Sequence, residues 1–304
     1  MAEADVFQPA WNFLGLPEEV STPDKARAWV LPIPYEATTS YGAGARDGPA
    51  AIIAASRQVE LFDREFGCEV AMKVGVHTTN PLSLEHRSPE AMVAAIERAV
   101  AGILTGSPSP EVLAVLGGEH SISAGVASGM ARAGLKDFVT VHVDAHADLR
   151  EQYEGCRFSH ACAARRIAEV SPIFQIGIRN LSEGEERFRR ESRRVRTVFA
   201  EEALAGRDYL EDLATFVHGK RVYFTVDLDG LDPSEMPAVG TPEPGGLSWA
   251  DVLDVARVIC RQAAGLPVFD VVELAPIPVM RAPDFLAAKL VYKILSLALL
   301  SQAT

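Results

Sequence analysis

Eight short apolar runs, most of them rich in β-branched residues, punctuate the chain, and the stretches between several of them carry apolar residues at helical spacing. The runs are AWVLPI at 28–33, VAMKVGV at 70–76, VLAVL at 112–116, FVTVHV at 138–143, IFQIGI at 173–178, VRTVF at 195–199, VYFTV at 222–226 and VFDVVEL at 268–274. Such short, bounded runs fit strands covered on both faces. The segments SPEAMVAAIERAVAGIL, GRDYLEDLATFV and SWADVLDVARVICRQAAG read as helices with Ser or Gly at their ends. Alternation of this kind predicts an α/β fold built on a mainly parallel sheet of about eight strands, with helices on both faces.

A chain of 304 residues, 48% hydrophobic, is long enough to bury a large core. No repeat, low-complexity tract or linker divides it, so one domain over 1–304 is expected, with residues 1–27 as an N-terminal extension. The start, MAEADVFQPAWNFLG, lacks the basic-then-apolar order of an export signal, which predicts a cytoplasmic protein. The C-terminal run FLAAKLVYKILSLALL is broken by Lys289 and Lys293 and is shorter than the roughly 20 residues of a membrane span, so a packed helix is expected. Cys68, Cys156, Cys162 and Cys260 form no CxxC pair, which fits reduced, structural thiols. A net charge of −12 argues against a nucleic-acid partner. The basic run RFRRESRRVR at 187–196 follows acidic SEGEE and reads as a solvated helix face.

In a parallel sheet, ligands gather beyond the carboxyl ends of the strands. Four strand ends here lead to an acid or a histidine: VLAVL into GGEHS, FVTVHV into DAHAD, VYFTV into DLDGLDP, and VFDVVEL at its own end. If the chain stays extended, Asp144, His146 and Asp148 share a face, as do Asp227 and Asp229, while His142 is expected to turn to the other face as a core or supporting histidine. Crowded carboxylates raise one another's pKa, and divalent cations relieve that cost. With His120 the set comprises two imidazoles and four carboxylates without a thiolate, which suits a hard or borderline metal such as manganese. Two ions roughly 3.5–4 Å apart lower the pKa of a water between them and make a nucleophile for hydrolysis. Glu119 is placed to orient this site without binding metal, and His77, His86 and His218 receive no role. Gly117 and Gly118 match no phosphate-binding fingerprint, and Ser121 and Ser123 form no GxSxG motif. The stiff segment TPEPGGLS at 241–248 is expected to wall a pocket.

Taken in order, GGEHS, DAHAD, SHACAARR, DLDGLDP and TPEPGG resemble the ureohydrolase family of arginases and agmatinases. The likeness runs from PIPYEATTSYGAGARDGPAAI at 33–53 through VVELAP. It implies a three-layer α/β/α fold, two Mn2+ ions and a homo-oligomer, often a trimer or hexamer. By the same resemblance His120 and Asp148 would bind one ion, His146 and Asp229 the other, with Asp144 and Asp227 bridging. Asp148 would also steady the attacking hydroxide, His160 would transfer a proton, Glu273 would meet a guanidinium, and Thr241 would contact the substrate. EQYEGCRF offers no equivalent of the Asn-bearing loop with which arginases grip arginine, so the small cationic substrate expected is agmatine, cleaved to putrescine and urea. The alternatives are a guanidino acid, arginine or formiminoglutamate as substrate, or a non-catalytic metal-binding homologue. A basic residue facing the substrate tail would favour an acid. Ala161 and Cys162 depart from the SHG pattern of many members and bear on the pocket beside His160.

Overall fold

Burial on both faces shapes the central strands: the runs at 112–117, 138–143 and 173–178 have no exposed position. The computed structural model describes residues 11–206 and 208–301. Its main sheet contains eight strands: β1 (Ala28–Ile33), β2 (Val76–Thr78), β3 (Val112–Gly117), β4 (Phe138–Val143), β5 (Ile173–Ile178), β6 (Val195–Phe199), β7 (Arg221–Asp227) and β8 (Gly265–Val272). Their order across the sheet is β2-β1-β3-β8-β7-β4-β5-β6, and every pairing is parallel. The last two strands in the chain thus insert between β3 and β4. The four middle strands are the ones whose carboxyl ends carry GGEHS, Glu273, DLD and DAHAD.

Alternate side chains of each strand feed two cores. Val30, Ala114 and Phe224 pack with the helices Gly48–Ser56, Tyr209–Val217, Trp249–Gln262 and Ala282–Leu300. Leu31, Leu113, Val115 and Tyr223 pack with Pro89–Thr105, Ile122–Arg132 and Ala163–Val170 on the opposite face. The result is the expected α/β/α sandwich. The C-terminal helix is packed against the sheet, and no helix among the described residues is long and apolar enough to cross a membrane.

Seven of the eight expected strands form where the sequence places them, while the run at 70–76 does not. Val70–Val74 is a helix, because Val70, Ala71 and Val74 bury one helical face while Met72 and Lys73 stay exposed. Gly75, at φ +71°, ends it, and β2 starts at Val76. The basic run at 187–196 is likewise divided: the helix Glu183–Glu191, capped by Ser182, takes its first half and edge strand β6 begins at Val195. Arg189 and Arg190 are spent on Glu186. Within the expected N-terminal extension, Phe13, Leu14 and Leu16 are buried in the core. The export-signal reading falls largely on residues 1–10, outside the described residues, as does Arg207 in the GRDYLEDLATFV helix.

Candidate metal centre and pocket

The imidazole of His120 enters the rim from the turn after β3. Gly118 makes that turn possible, since a Cβ there would lie 1.9 Å from the carbonyl oxygen of Tyr35. His120 Nε2 contacts the Thr225 hydroxyl at 3.0 Å. Its Nδ1 lies 3.0 Å from Asp227 Oδ2, 3.1 Å from Asp144 Oδ2 and 3.4 Å from Asp148 Oδ2, yet is aligned for a hydrogen bond with none of them. His146 Nδ1 stands 2.9 Å from Asp229 Oδ2 and 3.7 Å from Asp144 Oδ1. The six side chains named from the motifs therefore meet in one cluster.

Local hydrogen bonds aim the carboxylates. Asp144 Oδ1 accepts from the His146 amide, Asp229 Oδ1 from the Ala145 amide, and Asp227 Oδ1 from the Asp229 amide, so in Asp227 and Asp229 the other oxygen is turned into the cluster. The extended continuation expected for both motifs is not what brings them together. β4 stops at Val143, a bend at Ala145 leads into one parallel bridge between His146 and Asn180 past the end of β5, and Asp229 sits in a tight turn over Leu228–Gly230.

His142 corrects another expectation. It is two residues from Asp144 and therefore shares its face; its Nε2 lies 2.8 Å from Asp144 Oδ2. The amide nitrogen of Gln175 donates to His142 Nδ1 at 2.9 Å, so Nε2 carries the proton given to Asp144. Burial keeps His142 below its ordinary pKa, which fits a neutral ring that orients a carboxylate.

Electrostatics show what this cluster lacks. Burial pushes Asp227 and Asp148 up, and neighbouring carboxylates push them further: Asp229 and Asp144 act on Asp227, and Asp144 on Asp148. Asp229 is raised by burial and by Asp144. Burial also raises Asp144, but His142, His120 and His146 outweigh it and hold its pKa well below normal. Burial lowers both outer histidines, but their carboxylate partners prevail, and His146 is driven to about 12. Protons substitute here for missing positive charge. The unbonded Nδ1 of His120, the inward carboxylate oxygens and the absence of thiolate all fit divalent cations. His120 with Asp144, Asp148 and Asp227, and His146 with Asp144 and Asp229, form two donor groups that share Asp144, which describes adjoining positions for two ions.

A pocket opens over the cluster and is also lined by His160, Glu273, Thr241, Tyr153 and Arg150. His160 Nδ1 lies 3.1 Å from the Thr38 hydroxyl, and Tyr153 meets the ring edge-on at 5.7 Å. Glu273 adopts φ +67°, and its Oε1 accepts from the His120 amide at 2.6 Å. Burial and the charge of Asp227 raise its carboxyl well above normal, a condition that a cationic partner would relieve. Arg179 donates to the carbonyls of Gly177, Asp229, Leu231 and Glu243, tying the TPEPGG segment to the strand ends. The pocket wall expected from 241–248 is therefore present through Thr241. Gly240 approaches Gly42 in the pocket lining so closely that a Cβ on Gly42 would fall 2.7 Å from the Gly240 carbonyl oxygen. Cys162 is buried, with its thiol pushed up to about 12 by burial, and lies off the lining, whereas Ala161 is on it.

Sequence reasoning passed over Thr225, Thr38 and Arg150. Thr225 had a signal: it shares strand parity with Asp227. Glu119 was placed correctly near the site, but it acts on the 37–38 segment and not on a ligand: it accepts from the Ala37 and Thr38 amides at 2.7 and 2.6 Å.

A parallel sheet whose middle strands bring carboxylates and imidazoles to one rim defines an α/β protein with a buried, cation-ready His/Asp cluster. Comparison with known proteins narrows the class. The family described as the arginase family matches residues 26–296. The N(1)-aminopropylagmatine ureohydrolase of Synechocystis sp. is 36% identical over 282 residues, covering 91% of each chain. The agmatinase of Halalkalibacterium halodurans is 30% identical over 256 residues, covering 83% of this chain and 85% of that one. The crystal structure of agmatine ureohydrolase of Thermoplasma volcanium superposes with a TM-score of 0.80 at 30% identity, over 96% of this chain and 95% of that one. The chain belongs to the arginase family of ureohydrolases.

Proposed function

We propose that this chain is a two-manganese hydrolase that hydrolyses the guanidino group of an agmatine-type amine, releasing urea and leaving one nitrogen on the product amine. The observation that carries the reading is the cluster in which Asp144 stands between His120 and His146, at 3.1 and 3.7 Å from their Nδ1 atoms. His120 and Asp148 would hold one ion and His146 and Asp229 the other, with Asp144 and Asp227 between them. When bound, the ions would supply a water that ionises near neutral pH.

The residues around that water divide the remaining work. Glu273 receives the planar guanidinium, whose charge favours the ionised carboxylate. Asp148 accepts a hydrogen bond from the attacking water, and His160 passes a proton to the departing nitrogen. Thr241 and the 241–248 segment support the chain of the substrate. One water is consumed and two products leave, urea and a primary amine. Agmatine would give putrescine; its N1-aminopropyl derivative would give the correspondingly longer amine. Identity of 36% over nine-tenths of the chain, against 30% for an agmatinase, supports the aminopropyl form ahead of agmatine.

Arg150 favours a second reading. It lines the pocket, 5.1 Å over the Tyr153 ring, where it suits a carboxylate tail as in a guanidino acid. Glu185, 3.6 Å from its Nε, offsets part of that charge, which keeps the amine first. Membership of this family supports a cytoplasmic homo-oligomer, a trimer or hexamer, with no nucleic-acid or membrane partner. Urea release by manganese-loaded protein should be measured on N1-aminopropylagmatine, agmatine, arginine and 4-guanidinobutyrate. Turnover confined to the acid would move the assignment to the second reading. Two bound metals with no turnover on any of the four would mark a non-catalytic homologue.

A further inference from the structure

We infer that Thr38 is a positioning residue that fixes the proton of His160 on Nδ1 and leaves Nε2 as the atom that exchanges protons in the pocket. The inference rests on the proton-transfer role proposed for His160. Three contacts meet at the Thr38 hydroxyl oxygen: it donates to Glu119 Oε1 at 2.8 Å, accepts from the His160 amide at 3.0 Å, and lies 3.1 Å from His160 Nδ1.

A hydroxyl has one hydrogen to give. Glu119 Oε1 at 2.8 Å needs that hydrogen, because two oxygens without a proton between them would repel at this distance. The Thr38 oxygen is then an acceptor toward both groups of His160, so Nδ1 must carry a hydrogen. Glu119 is itself held in place by the Ala37 and Thr38 amides and the Ser121 hydroxyl, so the orientation originates in the turn beside His120. The Ser159 hydroxyl, 3.3 Å from Nδ1 and able to give or take a hydrogen there, is the nearest competing partner. Burial also holds His160 below its ordinary pKa, so the neutral ring, for which tautomer matters, is the relevant form.

The tautomer can be read directly. Histidine-selective 15N NMR on protein loaded with diamagnetic zinc should show His160 protonated at Nδ1 in the native chain and a tautomer mixture in Thr38→Val. With the substrate found above, Thr38→Val should lower kcat by roughly 100-fold with KM nearly unchanged, and Thr38→Ser should recover most of the loss. Metal content and melting temperature should match the native chain. A native His160 protonated at Nε2, or a Thr38→Val variant with native kcat, overturns the inference. Should Thr38→Val fail to fold, the native spectrum still decides. Full activity in His160→Asn would instead remove the proton-transfer reading and leave the tautomer result standing.

Discussion

Two charge clusters in this molecule, one more deeply buried than the other, solve the same problem in opposite ways. Beneath the C-terminal helix, Lys293 Nζ is held by Asp63 at 2.9 and 2.8 Å and by Glu65 at 2.8 Å, and Arg257 reaches Glu65 at 3.2 Å. Each carboxylate there, Asp254 at 3.0 Å from Arg257 included, touches a cation of the chain itself. At the sheet rim, four carboxylates face two imidazoles that are neutral in their ordinary form. The first cluster is a finished fastening. The second is complete only with cations from outside, and that imbalance, more than burial itself, separates a site from a staple.

The sharpest break of this contrast is Asp227→Asn. Urea release and metal binding should fall by more than the roughly 100-fold typical of losing an outer partner, measured by kinetics and metal stoichiometry. Yet the metal-free variant should melt no lower than metal-free native protein, because one crowded carboxylate is gone; a much lower melting temperature would put the rim with the staples. Lys293→Met should do the reverse. It strands the buried Asp63, while Glu65 keeps Arg257, so chemical denaturation should show a loss of about 3 kcal/mol, with metal stoichiometry unchanged.

Two smaller effects refine the picture. Thr225→Val removes the hydroxyl at His120 Nε2 and should weaken metal binding about 10-fold in a direct titration, with little change in melting of the metal-free chain. Burial alone would raise Glu65, but hydrogen bonds from Arg257 and Lys293 outweigh it and hold its pKa at about 2. A depressed folded pKa contributes stability above the ordinary value of 4.5 that fades as pH falls toward 2. The stability gap between native chain and Glu65→Gln, on the order of 1 kcal/mol near pH 7 for so partly exposed a group, should close over that window in pH-dependent denaturation.

What the sequence made legible was whatever repeats or alternates. Strands covered on both faces announce themselves as unbroken apolar runs, so β3, β4 and β5 were plain, and so was their delivery of acids to one rim. Val70–Val74 was misread because five apolar-rich residues fit a strand or a single helical turn equally well, and only Gly75 separates the two. The cluster's membership was visible in DAHAD and DLD, but its geometry was not: amides from adjacent turns aim the carboxylates, and no strand period encodes them. Thr38 lies 122 positions from His160, so nothing local joins them. Nor does composition reveal that Arg150 stands at the pocket while its neighbours in sequence do not all follow.

The bare backbone of Gly42 and Gly240 has a bearing on how this enzyme can change its diet. Where two peptide units touch without side chains, a substitution at either glycine pushes the backbones apart instead of adding a new handle for the substrate. Those two positions are closed to tinkering. New preferences are open instead to the side chains of the lining, Tyr41 and Thr241 beside the glycines and Arg150, Tyr153 and Asn180 elsewhere.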